Sequence, residues 1–378
     1  MKKKIIVFPA SKWQMGLIKY LKKKNYYVYS LDDSISAEGH KISDKILKIK
    51  TSNVKEIKKF IRRENCKIIS SCSDIGQKLI NKINEKKNNH FNKIIQRKLQ
   101  KKLSLNTPLF FTSKNFNKSN FLKCKKKVIC KPIYGSGSKN IVYLDKYKKF
   151  KYKKIFYEQF IEGVEYNVDG FLYNRKIFFY GIMEKKKIKR SKTVSYIIKQ
   201  NSLKSKVVKE IKEVLKKFIF ESKYPNGPFH IEIIIQKKTN KIFLVEGHPR
   251  EAGFNMYYLA CKTVTGQNLY KNSVYVKMNQ KLNDKDIINK NIYKNYCCRY
   301  IPIKKNGVIK NIYFKKFKDI KNTKTFVKIF NKKNETLNNR RDDASRIGYI
   351  MSFSNKTNYD LEKYTKNILD KYFIINYY

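Results

Sequence analysis

The sequence contains no apolar run near the ~20 residues needed to cross a bilayer, so no membrane-spanning role is expected. Its start, Met1-Lys2-Lys3-Lys4, has the charge of a secretion signal, but Ile5-Ile6-Val7-Phe8 gives way at once to Pro9 and polar Ser11-Lys12. No signal core of ~7–15 residues forms, and a cytoplasmic protein with an early buried strand is the expectation. The seven cysteines (66, 72, 124, 130, 261, 297 and 298) include no CxxC pair and no zinc-site spacing, which points to reduced, mostly buried thiols. No internal repeat is present. There is also no GxxxxGK[ST] phosphate loop, and no GxGxxG follows the first strand.

Negative charge is the other scarcity. Against 29 Asp and Glu stand 87 Lys and Arg, a formal net charge of +58. Such a charge ordinarily suggests nucleic acid. Here the lysines run along the whole chain amid Asn, Ile and Tyr, as AT-rich codons would produce, with no RNP, helix-turn-helix or zinc-finger pattern. No specific nucleic-acid partner is therefore expected, although the charge draws small anions toward any cleft. A hydrophobic fraction of 41% supports ordinary globular packing, and 378 residues suffice for two or three domains.

Residues 5–8, 26–31 and 67–71 read as buried strands alternating with helical patterns at 13–24, 54–64 and 73–84. That alternation predicts an open α/β domain with a parallel sheet over about residues 1–90. A helical segment at 90–105 ends at Thr107-Pro108, where a helix cannot continue. Strands are then expected at 128–132, 141–144, 155–159 and 166–172, with 176–184 as a hairpin partner. A long amphipathic helix follows at 205–222, then strands 229–236 and 241–245 joined across Lys238-Thr239-Asn240. A helix after Gly266 leads into an α+β tail from Cys297.

Three clusters carry chemistry. After Val128-Ile129-Cys130-Lys131-Pro132 comes Gly135-Ser136-Gly137-Ser138, whose glycines let backbone N–H groups approach a polyphosphate, with Lys131 beside it. Alone it reads equally well as a plain turn. Glu232 lies on one strand and Glu246 ends the next, so a hairpin brings two carboxylates to one sheet edge, suited to Mg²⁺ with phosphate and water oxygens. Unpaired carboxylates amid Phe229, Ile231, Ile233, Phe243, Leu244 and Val245 would be costly. Arg250 can bind a phosphoryl or acyl-phosphate group in a bidentate way. The third cluster breaks a strand at Gly163, where exposed backbone can meet an adenine edge and Glu165 the ribose.

The order of these segments resembles the ATP-grasp superfamily, in its branch of biotin carboxylase, carbamoyl-phosphate synthetase and amino-acid ligases. Asn92-Lys93, Arg97 and Leu105-Asn106-Thr107-Pro108 look like its "DK…R…GVPTP" helix, and residues 128–138 like its "VVKPxxGSGS" strand and loop. Residues 157–166 look like "EEFIEGxEYS", Gly227-Pro228-Phe229-His230-Ile231-Glu232 like "GPxHxE", and residues 245–253 like "xEINPRxGG". The resemblance spans about residues 4–275. It implies a preceding α/β domain (1–90), a small lobe with phosphate loop and hinge (91–165), and a large lobe with metal site and tail (166–378).

It further implies that Lys93, Lys131 and the Gly135, Ser136, Gly137, Ser138 loop bind the ATP phosphates. Glu158 with the Phe160 and Ile161 backbone would meet adenine, and Glu165 the ribose. Glu232, Glu246 and His248 would hold the metal, and Arg250 with Lys131 would act catalytically. Asn92 stands where the family has Asp, His248 where it has Asn, and Ala252 where it has Gly. Magnesium takes imidazole poorly, so His248 points either to Mn²⁺ or to substrate contact. The implied reaction is an EC 6.3-type carbon–nitrogen ligation, in which ATP activates a small carboxylic acid as an acyl phosphate that an amine attacks. A homodimer is compatible with this. A basic, irregular segment at 185–200 reads as a lid over the site, and it and residues 253–258 as loops that select the acid and amine. The alternatives are a carboxylase-type enzyme of the same fold, or a nucleotide- or polyanion-binding protein without turnover.

Overall fold

The computed structural model describes residues 2–87, 89–135, 140–152, 154–187, 194–199, 203–253, 257–338, 346–356 and 360–378, with backbone alone at 187 and 194–199. Strands β1 (Lys4–Val7), β2 (Tyr27–Ser30), β3 (Lys45–Ile46) and β4 (Lys67–Ile69) form a parallel sheet in the order β3-β2-β1-β4. Side-chain alternation along β1 sends Ile5 and Val7 into one apolar cluster and Ile6, with Phe8 just beyond it, into another. Both faces are therefore buried, as a parallel sheet requires. Side-chain caps start the later helices where the sequence suggests. Asn53 accepts from the Glu56 N–H, Ser73 from Gly76, and Asn92 from both Ile94 and Ile95.

The next sheet is antiparallel, with β5 (Phe110–Thr112), β6 (Val128–Pro132), β7 (Val142–Leu144) and β8 (Ile155–Gln159) in the order β5-β8-β6-β7. The largest sheet follows. It contains β9 (Gly163–Tyr173), β10 (Lys176–Lys187), β11 (Val194–Lys199), β12 (Gly227–Gln236), β13 (Ile242–His248) and β14 (Asn295–Pro302). A small sheet of β15 (Gly307–Phe314) interrupts the chain before β16 (Thr323–Ile329), β17 (Thr336–Leu337), β18 (Arg346–Ser354) and β19 (Phe373–Tyr377). β17 and β19 flank β15, while β16 and β18 rejoin the large sheet, whose order is β13-β12-β9-β10-β11-β14-β18-β16. Helix Ser205–Glu221 lays Ile211, Leu215, Phe218 and Ile219 on Val168, Phe229, Ile231 and Ile233, the i, i+4, i+7, i+8 face of an amphipathic helix.

Two expectations change. Residues 185–187 and 194–199 are not an irregular lid but the paired ends of β10 and β11. Backbone pairing needs no apolar side chains, so a basic composition conceals it; the rest of that lid, 188–193 and 200, lies outside the described residues. The supposed loop at 253–258 likewise ends in a buried π-helical turn, Tyr257–Cys261, with 254–256 not described. All seven cysteines are free thiols, and six are buried. No helix among the described residues is long and apolar enough to cross a membrane.

Candidate active site

A cleft of about 750 Å³ runs between the small and large sheets and opens toward the end of β4. One feature of the β12–β13 hairpin sets its floor. Ile233 pairs with Leu244, but Glu232 pairs with Glu246, so Val245 is an extra residue. Without this bulge Glu232 would oppose Val245, and Glu246 would point to the far side of the sheet. The bulge turns both carboxylates to one face. Its carbonyls are held by Arg97, which donates to Leu244 O at 3.1 Å and Val245 O at 2.8 Å. Beyond it Gln96 grips Gly247, accepting its N–H at 3.0 Å and donating to its carbonyl at 2.9 Å.

Arg97 is almost wholly buried and also pairs through Nε with Glu158 Oε2 at 2.6 Å, while Lys131 Nζ lies 2.6 Å from Glu158 Oε1. Both oxygens of Glu158 are thus engaged. Burial opposes ionisation of Glu158, but the Arg97 and Lys131 cations outweigh it and hold its carboxyl below the usual range. For Lys131, burial dominates and lowers the ammonium's pKa, with Glu158 acting in the other direction.

Each floor carboxylate has its own ammonium. Lys93 Nζ sits 2.9 Å from Glu246 Oε2 and donates to Gly135 O at 2.7 Å, tying the helix start to the phosphate loop. Lys185 Nζ lies 2.9 Å from Glu232 Oε2 and 3.5 Å from Glu165 Oε2. Burial again opposes ionisation, but Lys185 and His230 hold Glu232 low, and Lys93 and His248 do the same for Glu246. His230 is bound to Asp169 at 2.7 Å and approaches Glu232 at 3.6 Å.

The N-terminal domain contributes directly. Asp74, first residue of its helix, pairs with Arg250 Nε and lies 3.6 Å from His248 Nδ1, whose Nε2 is 3.5 Å from Glu246 Oε1. Neither His248 nitrogen makes a hydrogen bond, although the ring is only 3% exposed. Glu251 accepts from the Cys72 N–H at 3.2 Å and the Tyr258 hydroxyl at 2.7 Å, fastening the two domains together.

Lys93, Lys131, Gly135, Glu158, Ile161, Glu165, Glu232, Glu246, His248 and Arg250 all line the cleft. Phe160 does not: its N–H is given to Lys127 O at 2.9 Å and its ring packs against Tyr143. Ser136, Gly137 and Ser138 lie outside the described residues. Sequence reasoning missed Lys185 and the Asp169–His230 pair. Asp74 was equally silent within the helical pattern 73–84, and Arg97 had only its place in the Lys93 helix motif.

Among the described residues no three His, Cys, Asp or Glu side chains form a ready-made metal cage. Magnesium commonly takes one or two carboxylates and completes its shell with phosphate and water. The partly buried Glu232–Glu246 pair has that donor chemistry.

Residues 138–257 match the family model of the ATP-grasp domain. No curated protein sequence matches the chain. Among solved structures, the fold is similar over 100% of both chains to phosphoribosylglycinamide synthetase from Anaerococcus prevotii (18% identity, TM-score 0.78). It is also similar to L-amino acid ligase from Bacillus licheniformis, over 100% of this chain and 99% of that one (15%, TM-score 0.80). A third likeness, over 100% of this chain and 91% of the other, is to the biotin carboxylase domain of Hydrogenobacter thermophilus 2-oxoglutarate carboxylase, solved with MgADP, ADP and bicarbonate (14%, TM-score 0.72). The family match is thus confined to residues 138–257, and the fold as a whole is shared with these solved structures.

Proposed function

We propose that the protein is an ATP-dependent carboxylate–amine ligase working through an acyl phosphate. The observation that carries this is the Glu232–Glu246 register pair, turned to one face by the bulge and sharing a cleft with Lys93, Lys131 and Arg250. A carboxylate oxygen of the acid attacks the γ-phosphorus of ATP, and the bond to the β–γ bridging oxygen breaks, releasing ADP. The amine nitrogen then attacks the acyl carbon and loses a proton, and phosphate departs. Lys93 and Lys131 bind the phosphates together with the loop at 135–138. Arg250, aimed by Asp74, opposes charge on the transferring phosphoryl group. Glu165 and the Ile161 backbone receive the nucleoside. Glu232 and Glu246 hold Mg²⁺, which neutralises phosphate charge when bound; the MgADP in the biotin carboxylase domain of the same fold supports that assignment.

The test is ADP release from ATP with a panel of amino acids and small carboxylates, with hydroxylamine added to trap any acyl phosphate as its hydroxamate. Acid-dependent ADP and a matching hydroxamate are expected. Absence of ATP binding would sink the proposal, and ATP binding that no acid turns into ADP would favour a nucleotide sensor.

His248 adds a borderline nitrogen ligand to an otherwise hard site, which favours Mn²⁺ over Mg²⁺. His248→Asn is expected to lower the ratio of Mn²⁺- to Mg²⁺-supported activity several-fold. An unchanged ratio in steady-state assays with each metal would assign His248 to substrate contact or packing.

A further inference from the structure

Two groups of apolar residues of different chemistry line the cleft. Toward the small sheet the wall is largely aliphatic, with Ile129, Ile141, Ile161, Ile234 and Leu244 beside Lys131. The second group is aromatic. Trp13, the chain's one tryptophan, meets Phe330 edge-on at 5.1 Å, and both line the cleft with Tyr296, Tyr300 and Met183. Tyr296, Tyr300 and Met183 belong to one continuous apolar cluster, against which Phe330 packs. Two cations lie against these rings: Lys12 Nζ stands 5.2 Å from the Trp13 ring and 5.4 Å from Phe330, and the guanidinium of the buried Arg346 lies 3.6 Å over Tyr300. The Tyr296 hydroxyl is buried, on a side chain 1% exposed, and has no hydrogen-bond partner. A buried hydroxyl without a partner is costly unless a ligand supplies one.

Resting on the ligase reading above, we propose that the acid activated here carries an aromatic or large aliphatic side chain. That side chain sits against Trp13, Phe330 and Tyr300, with a polar group of the acid bonded to the Tyr296 hydroxyl. Several aromatic rings and a thioether in this second group favour a ligand with apolar area to bury. Lys12, beside the Trp13 and Phe330 rings, favours an anion over an amine, so the pocket is assigned to the acid and not to its acceptor. Trp13 comes from the N-terminal domain and Phe330 from the segment after β16, so the pocket exists only when the two are docked.

The trapping assay separates acid from amine, because hydroxylamine replaces the natural acceptor. Hydroxamate formation is expected with phenylalanine, tryptophan, leucine and methionine at a kcat/KM at least about tenfold above that for glycine, alanine, glutamate and lysine. Trp13→Ala and Phe330→Ala should each raise KM for the large acids about tenfold, leave KM for ATP unchanged, and narrow the preference over alanine. Tyr296→Phe, which keeps the ring, should raise KM for every acid of the preferred class. Faster turnover of small or charged acids overturns the assignment while leaving the ligase reading intact. So does an unaltered preference in Trp13→Ala and Phe330→Ala proteins that retain wild-type ATP affinity. ATP turnover with none of the acids, and no hydroxamate, takes down both.

Discussion

Glu246→Gln is expected to cut kcat by at least about a hundredfold, the scale on which removing one preorganised electrostatic contact acts, while melting within a few degrees of the parent protein. Glutamine keeps the volume and one hydrogen-bonding oxygen, so the β12–β13 pairing and the Gln96 grip on Gly247 persist. What disappears is the negative charge opposite Glu232. ATP binding measured without divalent cation should then hold or tighten, because Lys93 is released to the phosphates, whereas the stimulation of binding by Mg²⁺ should collapse. Full activity in the Gln variant, or equal loss of metal-free and metal-assisted binding, would remove Glu246 from the metal site.

Arg97→Met is expected to destabilise the protein by ~3–5 kcal/mol, the usual range for stripping one partner from a buried ion pair. The change leaves Glu158 with Lys131 alone and strands the Leu244 and Val245 carbonyls. Urea denaturation reads the effect, and Lys131→Met serves as the contrast, since it keeps the Arg97 bonds to the bulge. The sign of the pH dependence follows from Glu158, whose folded-state pKa is depressed. Its stabilising contribution is fully present above the unfolded carboxyl value of ~4.3 and is lost as pH falls through the lower folded value. Without Arg97 the buried Glu158 should titrate higher, so acid unfolding should begin at a higher pH. An Arg97→Met protein as stable as its parent, with the same acid limb, would mean that the bulge holds itself.

Much of this was readable from local pattern. Alternating apolar runs marked β1, β2 and β4, and Lys238-Thr239-Asn240 marked the hairpin that carries both carboxylates. In so basic a chain the remaining acids are informative as well. Asp74, Glu158, Glu165, Asp169, Glu232 and Glu246, six of its 29 acidic residues, line the cleft, because a functional carboxylate cannot drift to lysine as a surface one can. The unread features depend on distant contacts. Nothing near Val245 announces a bulge, since the side chain that braces it lies well over a hundred residues earlier. Asp74 gains meaning only when Arg250 docks on it. The pairing of β11 with β14 joins strands about a hundred residues apart, beyond the reach of any local periodicity.

Lys93 and Lys185 are in effect counter-ions built into the chain. They offset the repulsion between two partly buried carboxylates that stand side by side. In the site proposed above, a polyphosphate would compete for those ammonium groups, and each lysine that turned to it would uncover a carboxylate for a divalent cation. The two ligands are then thermodynamically linked, each raising the affinity for the other by the same factor. Nucleotide titrations at several cation concentrations would measure that factor, and the salt dependence of the metal-free state would show how firmly the lysines hold.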